Sequence, residues 1–171
     1  LLEPVAEACR RAGLAKVKTV IAGGATRQAS VALGLAALSA PALAAVQDGA
    51  RPFVTPELID RVVRAANAYG AAAPAVPVRD TIKVARGGLV ERTPDRSALA
   101  AVQTPQVFDY DLLQAALNQA DKEHAVVTDD CSAVERLGMK VKLVEGEERN
   151  FKVTTRQDLL LARALLQEEE T

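Results

Sequence analysis

The chain has 171 residues, 49% hydrophobic and 25% charged, with a formal net charge of −1. Such a length and composition are typical of one globular domain with a substantial core. Its lysines and arginines are scattered, which argues against nucleic-acid and anionic-membrane partners, since both need a basic patch. Small phosphorylated ligands, which need only a few well-placed cations, remain compatible.

The cysteines and the hydropathy pattern indicate the compartment. Cys9 and Cys131 lack the spacing of a metal site, and a chain of this size does not need a disulfide. We interpret them as free thiols in a reducing, cytoplasmic environment. No apolar stretch reaches membrane-spanning length. The chain opens inside a helical pattern, without a starting methionine.

Strands and helices alternate along the chain, which predicts an α/β fold with a mostly parallel sheet covered by helices. The β-branched run 17–22 predicts a strand that ends at a glycine pair. A helix is predicted over about 27–38, with Thr26 as its N-cap. The apolar run 42–46 has no alternation, as expected of a strand buried on both faces.

The next helix has clear boundaries, because Thr55 can cap it, Pro56 suits its first turn and Gly70 can end it. A strand follows at 75–78, and then a hairpin at 81–92 with Gly87-Gly88 at its turn. Further helices are predicted at 111–120, 129–137 and 155–166, and further strands at 141–144 and 151–153. The last helix begins with a capping-box pattern, Thr155-x-x-Asp158.

Polar residues cluster where predicted strands end, which is where doubly wound sheets bind ligands. Gly23-Gly24 and the following helix start can bring backbone N–H groups to an anion, although strand-glycine-helix turns are also common as plain structure. Asp48 follows a buried strand, three residues before Arg51. The pair suits a metal–phosphate complex or sugar hydroxyls, and a salt bridge that holds the loop is the alternative.

The inventory of these clusters holds cations and hydroxyls, few carboxylates and no nucleophile–base pair. It suits phosphoryl or nucleotidyl transfer, where positioning and charge stabilisation dominate. The only histidine, His124, lies in a polar stretch outside the clusters, and we interpret it as a surface residue.

Seven segments, in order, make the chain from about Val17 to Leu166 resemble the 2-C-methyl-D-erythritol 4-phosphate cytidylyltransferases of bacterial isoprenoid biosynthesis. The segments are Ala22-Gly23-Gly24-Ala25-Thr26-Arg27-Gln28-Ala29-Ser30-Val31, Gln47-Asp48-Gly49-Ala50-Arg51-Pro52, Pro77-Val78-Arg79-Asp80-Thr81-Ile82-Lys83, Asp95-Arg96-Ser97, Gln103-Thr104-Pro105-Gln106, Thr128-Asp129-Asp130-Cys131-Ser132 and Asn150-Phe151-Lys152-Val153-Thr154-Thr155.

The resemblance implies a Rossmann-like nucleotidyltransferase that transfers CMP from CTP to methylerythritol phosphate with the help of Mg²⁺. It implies that Lys152 reaches the phosphate under attack and that Asp48 lies near the nucleotide sugar and the substrate. It assigns the cytidine portion of CTP to Gly24 and Ser30, and it implies that Gly49 lies close to the nucleotide. The methylerythritol phosphate is assigned to Arg51, Thr81, Arg96, Thr104 and Thr128. No metal ligand is indicated.

The resemblance also implies a homodimer, in which an arm of about residues 81–103 crosses to the neighbouring subunit. A lone two-stranded hairpin is marginal in water, which agrees with an arm that packs against a second copy. Residues 1–171, including this arm, are expected to form a single nucleotidyltransferase domain.

Three departures from the family pattern stand out. Gln47 replaces a histidine, Gly49 replaces an alanine, and Ala29 stands where an aspartate is common. The sequence also lacks the family's Gly-rich triphosphate loop and its first strand or strands, so the chain as given is expected not to turn over CTP. Two alternatives remain open: a ribitol 5-phosphate cytidylyltransferase, and a non-catalytic fragment that kept the fold.

Overall fold

A computed structural model describes residues 2–169. Its helices are α1 (Leu2–Arg11), α2 (Arg27–Ala36), α3 (Pro56–Tyr69), α4 (Tyr110–Lys122), α5 (Asp130–Arg136) and α6 (Arg156–Glu169). Its strands are β1 (Leu43–Val46), β2 (Ala71–Pro77), β3 (Val84–Arg86), β4 (Leu89–Arg92), β5 (Ala100–Val102), β6 (Gln106–Asp109) and β7 (Lys142–Glu145). The α/β class is therefore confirmed.

The chain divides into two compact units. One consists of the residues up to Ala44 together with Asp109–Lys140, and the other of Ala45–Phe108 together with the residues from Val141 onward. The single domain expected over residues 1–171 stays a prediction. Residues 1, 170 and 171 lie outside the described residues.

The first unit is helical, and its core lies on one face of α4. The buried residues of that face keep helical spacing; they are Tyr110, Leu113, Ala116, Leu117 and Ala120. The Tyr110 hydroxyl donates a hydrogen bond to the Leu35 carbonyl oxygen at 3.2 Å, which satisfies the only polar atom of this side chain. In contrast, α1 buries none of its residues.

The sheet is organised around β2, whose two edges hold different strands. Ala72 pairs with Lys142 and with Val107, and Ala75 pairs with Glu145 and with Val102. One edge of β2 therefore carries β7, and the other carries β5 and β6 end to end. The strand β6 also pairs with β1. Between these two pairs β2 advances by three residues, from Ala72 to Ala75, whereas the opposite strands span five residues, from Val102 to Val107. The segment that joins β5 to β6 therefore contains a bulge of two extra residues.

The mostly parallel sheet predicted above is wrong for the strands around β2. The pairing of β2 with β7 is parallel, and its pairings with β5 and β6 are antiparallel. After β2 the chain enters the hairpin and returns along the same strand without a crossover helix, which requires antiparallel pairing. Neither β5 nor β6 was recognised from the sequence. The strand β2 begins at Ala71, four residues before the predicted start at residue 75. The early start was not evident, because Pro74 lies within the strand and proline usually interrupts strands.

Two predicted strands, 17–22 and 151–153, are not strands in the structure. A strand needs a ladder of hydrogen bonds with a neighbour, which neither stretch has within residues 2–169. The Val17 N–H bonds back to the Leu14 carbonyl in a turn, and Val153 donates a single bond to the Ala50 carbonyl at 2.8 Å.

Local boundary signals were predicted correctly. The side chains of Thr26 and Thr55 cap α2 and α3, and Gly70 ends α3 with a left-handed φ of 80°. The hairpin of β3 and β4 turns at Gly87 and Gly88, with φ angles of 57° and 81°, a conformation that favours glycine at both positions.

The capping box of α6 makes the stability of this helix depend on pH. The Asp158 carboxylate accepts hydrogen bonds from the N–H groups of Thr154 and Thr155, and these bonds lower its pKa to about 2. A depressed pKa means that the stabilisation is complete above about pH 4 and is lost as the pH falls through the folded-state pKa.

We therefore expect Asp158→Asn to lower Tm at pH 7, and this deficit should shrink steadily below pH 4, because the carboxylate of the parent then takes up its proton. Thermal unfolding of both proteins between pH 7 and pH 2 measures this dependence. Asp60→Asn, an exposed carboxylate on α3, serves as the matched control. A Tm deficit that does not change with pH would contradict the assignment.

Candidate active site

A carboxylate between two cations lies beyond the end of β1. The Lys152 Nζ is 3.0 Å from Asp48 Oδ2, and the Arg51 Nε is 3.5 Å from the same oxygen. The Asp48 side chain is 18% exposed and that of Lys152 is 45% exposed. The carboxylate thus offsets the repulsion between the two cations, while the ammonium stays accessible to an anion from solvent.

The side chains of Gln47 and Thr104 hold the backbone of Asp48 and Arg51 through hydrogen bonds. The Thr104 hydroxyl donates a hydrogen bond to Gln47 Oε1 at 2.8 Å and accepts one from the Asp48 N–H at 3.0 Å. The Gln47 Nε2 donates to the Arg51 carbonyl at 3.2 Å. The glutamine that stands in place of the family histidine therefore makes two hydrogen bonds within the site.

Arg51 is held from the opposite side by the segment that carries Lys152. Its Nη1 donates to the Asn150 carbonyl oxygen at 2.7 Å, and its side chain is 12% exposed. Gly49 lies on the turn between Asp48 and Arg51, where an added Cβ would meet nothing within 4 Å. Steric space therefore permits either glycine or the family alanine at this position.

Two further predicted substrate residues, Thr81 and Arg96, lie apart from this cluster. Both are exposed, and the Arg96 Nη1 donates to the Arg79 carbonyl oxygen at 2.7 Å. Arg96 lines an open groove of about 950 Å³ between the end of β2, the 3₁₀ turn Arg96–Ala98 and β7. Among residues 2–169, no hydrogen bond or ion pair joins either residue to the Asp48 cluster.

The remaining predicted site residues belong to the first unit. The Gly24 N–H donates to Ser30 Oγ at 3.0 Å, and the Ser30 hydroxyl donates to the Thr26 carbonyl at 2.9 Å. A Cβ on Gly24 would lie only 2.5 Å from the Ala29 Cβ, so this approach requires glycine. The structure thus gives Ser30 a clear role in holding the glycine turn.

Thr128 is exposed just before α5, whose capping box joins Asp129 and Ser132. Asp130, in the first turn of α5, is fully buried and accepts two hydrogen bonds from Arg27, at 3.0 and 2.6 Å. This bidentate pair fixes the start of α5 against α2. The sequence did not indicate it, because two adjacent aspartates at a helix start usually act as caps.

The histidine and the two cysteines show no sign of a catalytic or metal-binding role. His124 is exposed, as predicted, and within residues 2–169 neither Cys9 nor Cys131 forms a disulfide. Burial raises the pKa of the Cys131 thiol, which keeps it unreactive. Within residues 2–169 no three His, Cys, Asp or Glu side chains form a group that could hold a metal ion.

Two buried amides, Gln103 and Asn150, were missed as site residues. Gln103 directly precedes Thr104, and Asn150 lies two residues before Lys152, so their places in the family motifs were the available signal. Their burial, at 5% and 0% exposure, was not evident because amides are usually exposed.

An α/β fold that brings a lysine, an arginine, an aspartate and a threonine together beyond the end of β1 is typical of proteins that position phosphorylated ligands. The sequence profile of the 2-C-methyl-D-erythritol 4-phosphate cytidylyltransferase family matches residues 5–168. The chain therefore belongs to this family.

Curated relatives agree with this assignment. The chain is 47% identical over 169 residues to the 2-C-methyl-D-erythritol 4-phosphate cytidylyltransferase of Halalkalibacterium halodurans, covering 99% of this chain and 74% of the relative. It is 50% identical over 151 residues to that of Geobacillus kaustophilus, covering 88% of this chain and 66% of the relative.

Solved structures agree as well. The cytidylyltransferase from Thermus thermophilus superposes with a TM-score of 0.80 at 47% identity, covering 86% of this chain and 72% of that one. The 4-diphosphocytidyl-2C-methyl-D-erythritol synthase from Anaerococcus prevotii gives a TM-score of 0.82 at 34% identity, covering 94% and 77%. None of the helices in the described part of the chain has the length and hydropathy needed to span a membrane.

Proposed function

We propose that this chain is a bacterial, cytoplasmic cytidylyltransferase of the non-mevalonate isoprenoid pathway. It transfers CMP from CTP to 2-C-methyl-D-erythritol 4-phosphate, giving 4-diphosphocytidyl-2-C-methyl-D-erythritol and pyrophosphate. The observation that carries the proposal is the Asp48–Arg51–Lys152 cluster, in a chain that belongs to this family.

In this reaction an oxygen of the sugar phosphate attacks the α-phosphorus of CTP. The bond from that phosphorus to the oxygen bridging to the β-phosphate breaks, and pyrophosphate leaves with the bonding electrons. Negative charge grows on the α-phosphoryl oxygens. Lys152 and Arg51 act as fixed cations that stabilise this charge, and Asp48 holds both in place before substrate arrives.

The remaining contacts follow the family pattern. Gly24 and Ser30 contact the cytidine portion of CTP, and Gly49 lies close to the nucleotide. Arg51, Thr81, Arg96, Thr104 and Thr128 bind the sugar phosphate. The single proton of the Thr104 hydroxyl is donated to Gln47, so donation to a phosphate oxygen requires this bond to be exchanged.

Mg²⁺ enters the proposal as a companion of the CTP phosphates. Proteins commonly hold Mg²⁺ through one or two carboxylates plus substrate phosphates rather than through an all-protein cage. The donor set of the cluster fits that mode, with Asp48 as its carboxylate. When bound, the ion adds positive charge to the triphosphate and helps pyrophosphate to leave.

The arm of residues 81–103 supports a homodimer. Leu89 and Val90 of its hairpin are 76% and 60% exposed, and Ile82 is 40% exposed. A second copy that packs against this surface would bury these side chains and complete a two-fold interface.

Pyrophosphate release tests the function. The full-length enzyme, given CTP and Mg²⁺, should turn over methylerythritol phosphate far faster than ribitol 5-phosphate, because substrate choice resides in the site residues. The reverse preference would establish the ribitol enzyme, and no turnover of either substrate would favour a non-catalytic protein.

A further inference from the structure

Two amide side chains lie buried beneath the cation cluster in the second unit. Gln103 is part of the bulge between β5 and β6 and is 5% exposed; Asn150 follows β7 and is fully buried. Buried amides carry a desolvation cost, so their hydrogen bonds indicate what they hold in place.

The two amides join the bulge to the segment that follows β7. The Asn150 Nδ2 donates to the Thr104 carbonyl oxygen at 2.8 Å. The Gln103 Nε2 donates to the Glu147 carbonyl at 2.8 Å, and the Gln103 Oε1 accepts from the Glu147 N–H at 3.2 Å. Gly146 makes room for this contact, because a Cβ there would lie 2.7 Å from the Gln103 Oε1. The segment from Gly146 to Asn150 is therefore tied to the bulge.

This connection reaches both cations of the candidate site. The Asn150 carbonyl accepts the hydrogen bond from Arg51 Nη1, and Lys152 lies only two residues further along. The Thr104 carbonyl, which anchors the Asn150 side chain, belongs to the same residue whose hydroxyl holds the Asp48 backbone. The Asn150 side chain thus couples the position of Lys152 to those of Arg51 and Asp48.

The side-chain oxygen of Asn150 indicates that stability alone does not explain this residue. Asn150 Oδ1 is buried and has no hydrogen-bond partner in the described part of the chain. An unpaired buried acceptor lowers stability. The presence of asparagine at this position despite that cost points to a role in function. Positioning the cations Arg51 and Lys152 is such a role.

We propose that Asn150 is a positioning residue of the cytidylyl transfer, with Gln103 as its support. It sets the distance of Arg51 and Lys152 from Asp48 and touches neither substrate. The proposal rests on the proposed function for its kinetic consequence, whereas its structural consequence can be measured without turnover.

The kinetic test compares Asn150→Ala with Val62→Ala in the full-length enzyme. Val62 is fully buried in α3, outside the site, and its truncation controls for lost stability. We expect Asn150→Ala to lower kcat by roughly tenfold or more, with KM for both substrates changed by less than about threefold, since misplaced cations cost charge stabilisation in the transition state. Val62→Ala should lower Tm and leave kcat within about twofold of the parent.

The second test measures Arg51 directly. In the parent, the bond to the Asn150 carbonyl should slow rotation of the Arg51 guanidinium, which nitrogen-15 NMR detects as separate side-chain signals. Asn150→Ala should average these signals, and Val62→Ala should not. Asn150→Ser, which keeps a donor, should give an intermediate result and replaces the alanine variant if that protein does not fold.

Unchanged Arg51 signals, or a loss of kcat no greater than in Val62→Ala, would overturn the positioning role. If the parent does not turn over methylerythritol phosphate, the proposed function fails, and the Arg51 signals still decide the positioning role.

Discussion

Lys152→Ala should lower kcat of the full-length enzyme by a factor on the order of 10² or more, with a much smaller effect on binding of the sugar phosphate. The ammonium is held 3.0 Å from Asp48 Oδ2 and is partly exposed, so it needs no rearrangement before charge develops on the α-phosphate. An interaction that strengthens in the transition state contributes to kcat rather than to ground-state binding. Steady-state kinetics with both substrates varied measures the two effects separately.

Lys142→Ala provides the matched control, because its ammonium lies 5.3 Å from the centre of the Tyr69 ring rather than in the cluster. This variant should keep kcat close to that of the parent. If Lys152→Ala changes only KM, then Lys152 is a ground-state binding residue and the catalytic assignment is wrong.

Helix boundaries could be predicted from the sequence because their causes are local. Thr55 caps the residues that directly follow it, and Gly70 ends the helix through a backbone conformation that glycine adopts without strain. The same holds for the hairpin turn, where Gly87 and Gly88 both adopt positive φ angles. None of these signals depends on distant parts of the chain.

The direction of the strands was not predictable, because it depends on partners far apart in the sequence. Ala71–Pro77 is apolar throughout, which indicates burial but not whether a neighbour runs parallel or antiparallel. The bulge at residues 103–105 also hid β5 and β6, since it splits one line of pairing into short runs of three and four residues.

Only the part of the candidate site that is local in the sequence could be predicted. Asp48 and Arg51 follow a strand directly, so their place at its end was evident from the pattern. The family resemblance implied that Lys152 reaches the phosphate under attack, but its ion pair with Asp48 was not predicted. The role of Asn150 could not be predicted, because a buried amide that donates to a backbone carbonyl has no sequence pattern of its own.

Arg96 connects the candidate site to the proposed dimer. Its Nη1 donates to the Arg79 carbonyl oxygen of its own chain, and within residues 2–169 no hydrogen bond or ion pair joins it to the Asp48 cluster. The neighbouring hairpin exposes Leu89 and Val90. If the arm crosses to a second subunit, Arg96 enters the partner's site, and a two-fold axis makes the exchange reciprocal.

Mixing full-length Arg96→Ala and Lys152→Ala subunits, each inactive alone, should therefore restore activity. If Arg96 acts on the neighbouring subunit, a mixed dimer has one site with both mutations and one with both residues intact. Random exchange at equal concentrations makes about half of the dimers mixed, so roughly a quarter of all sites should recover. Pyrophosphate release after exchange, with the mixed dimer verified by native mass spectrometry of differently tagged subunits, measures the recovery. If Arg96 serves its own subunit, each site of the mixed dimer keeps one defect, and exchange without recovered activity would rule out the crossed arm.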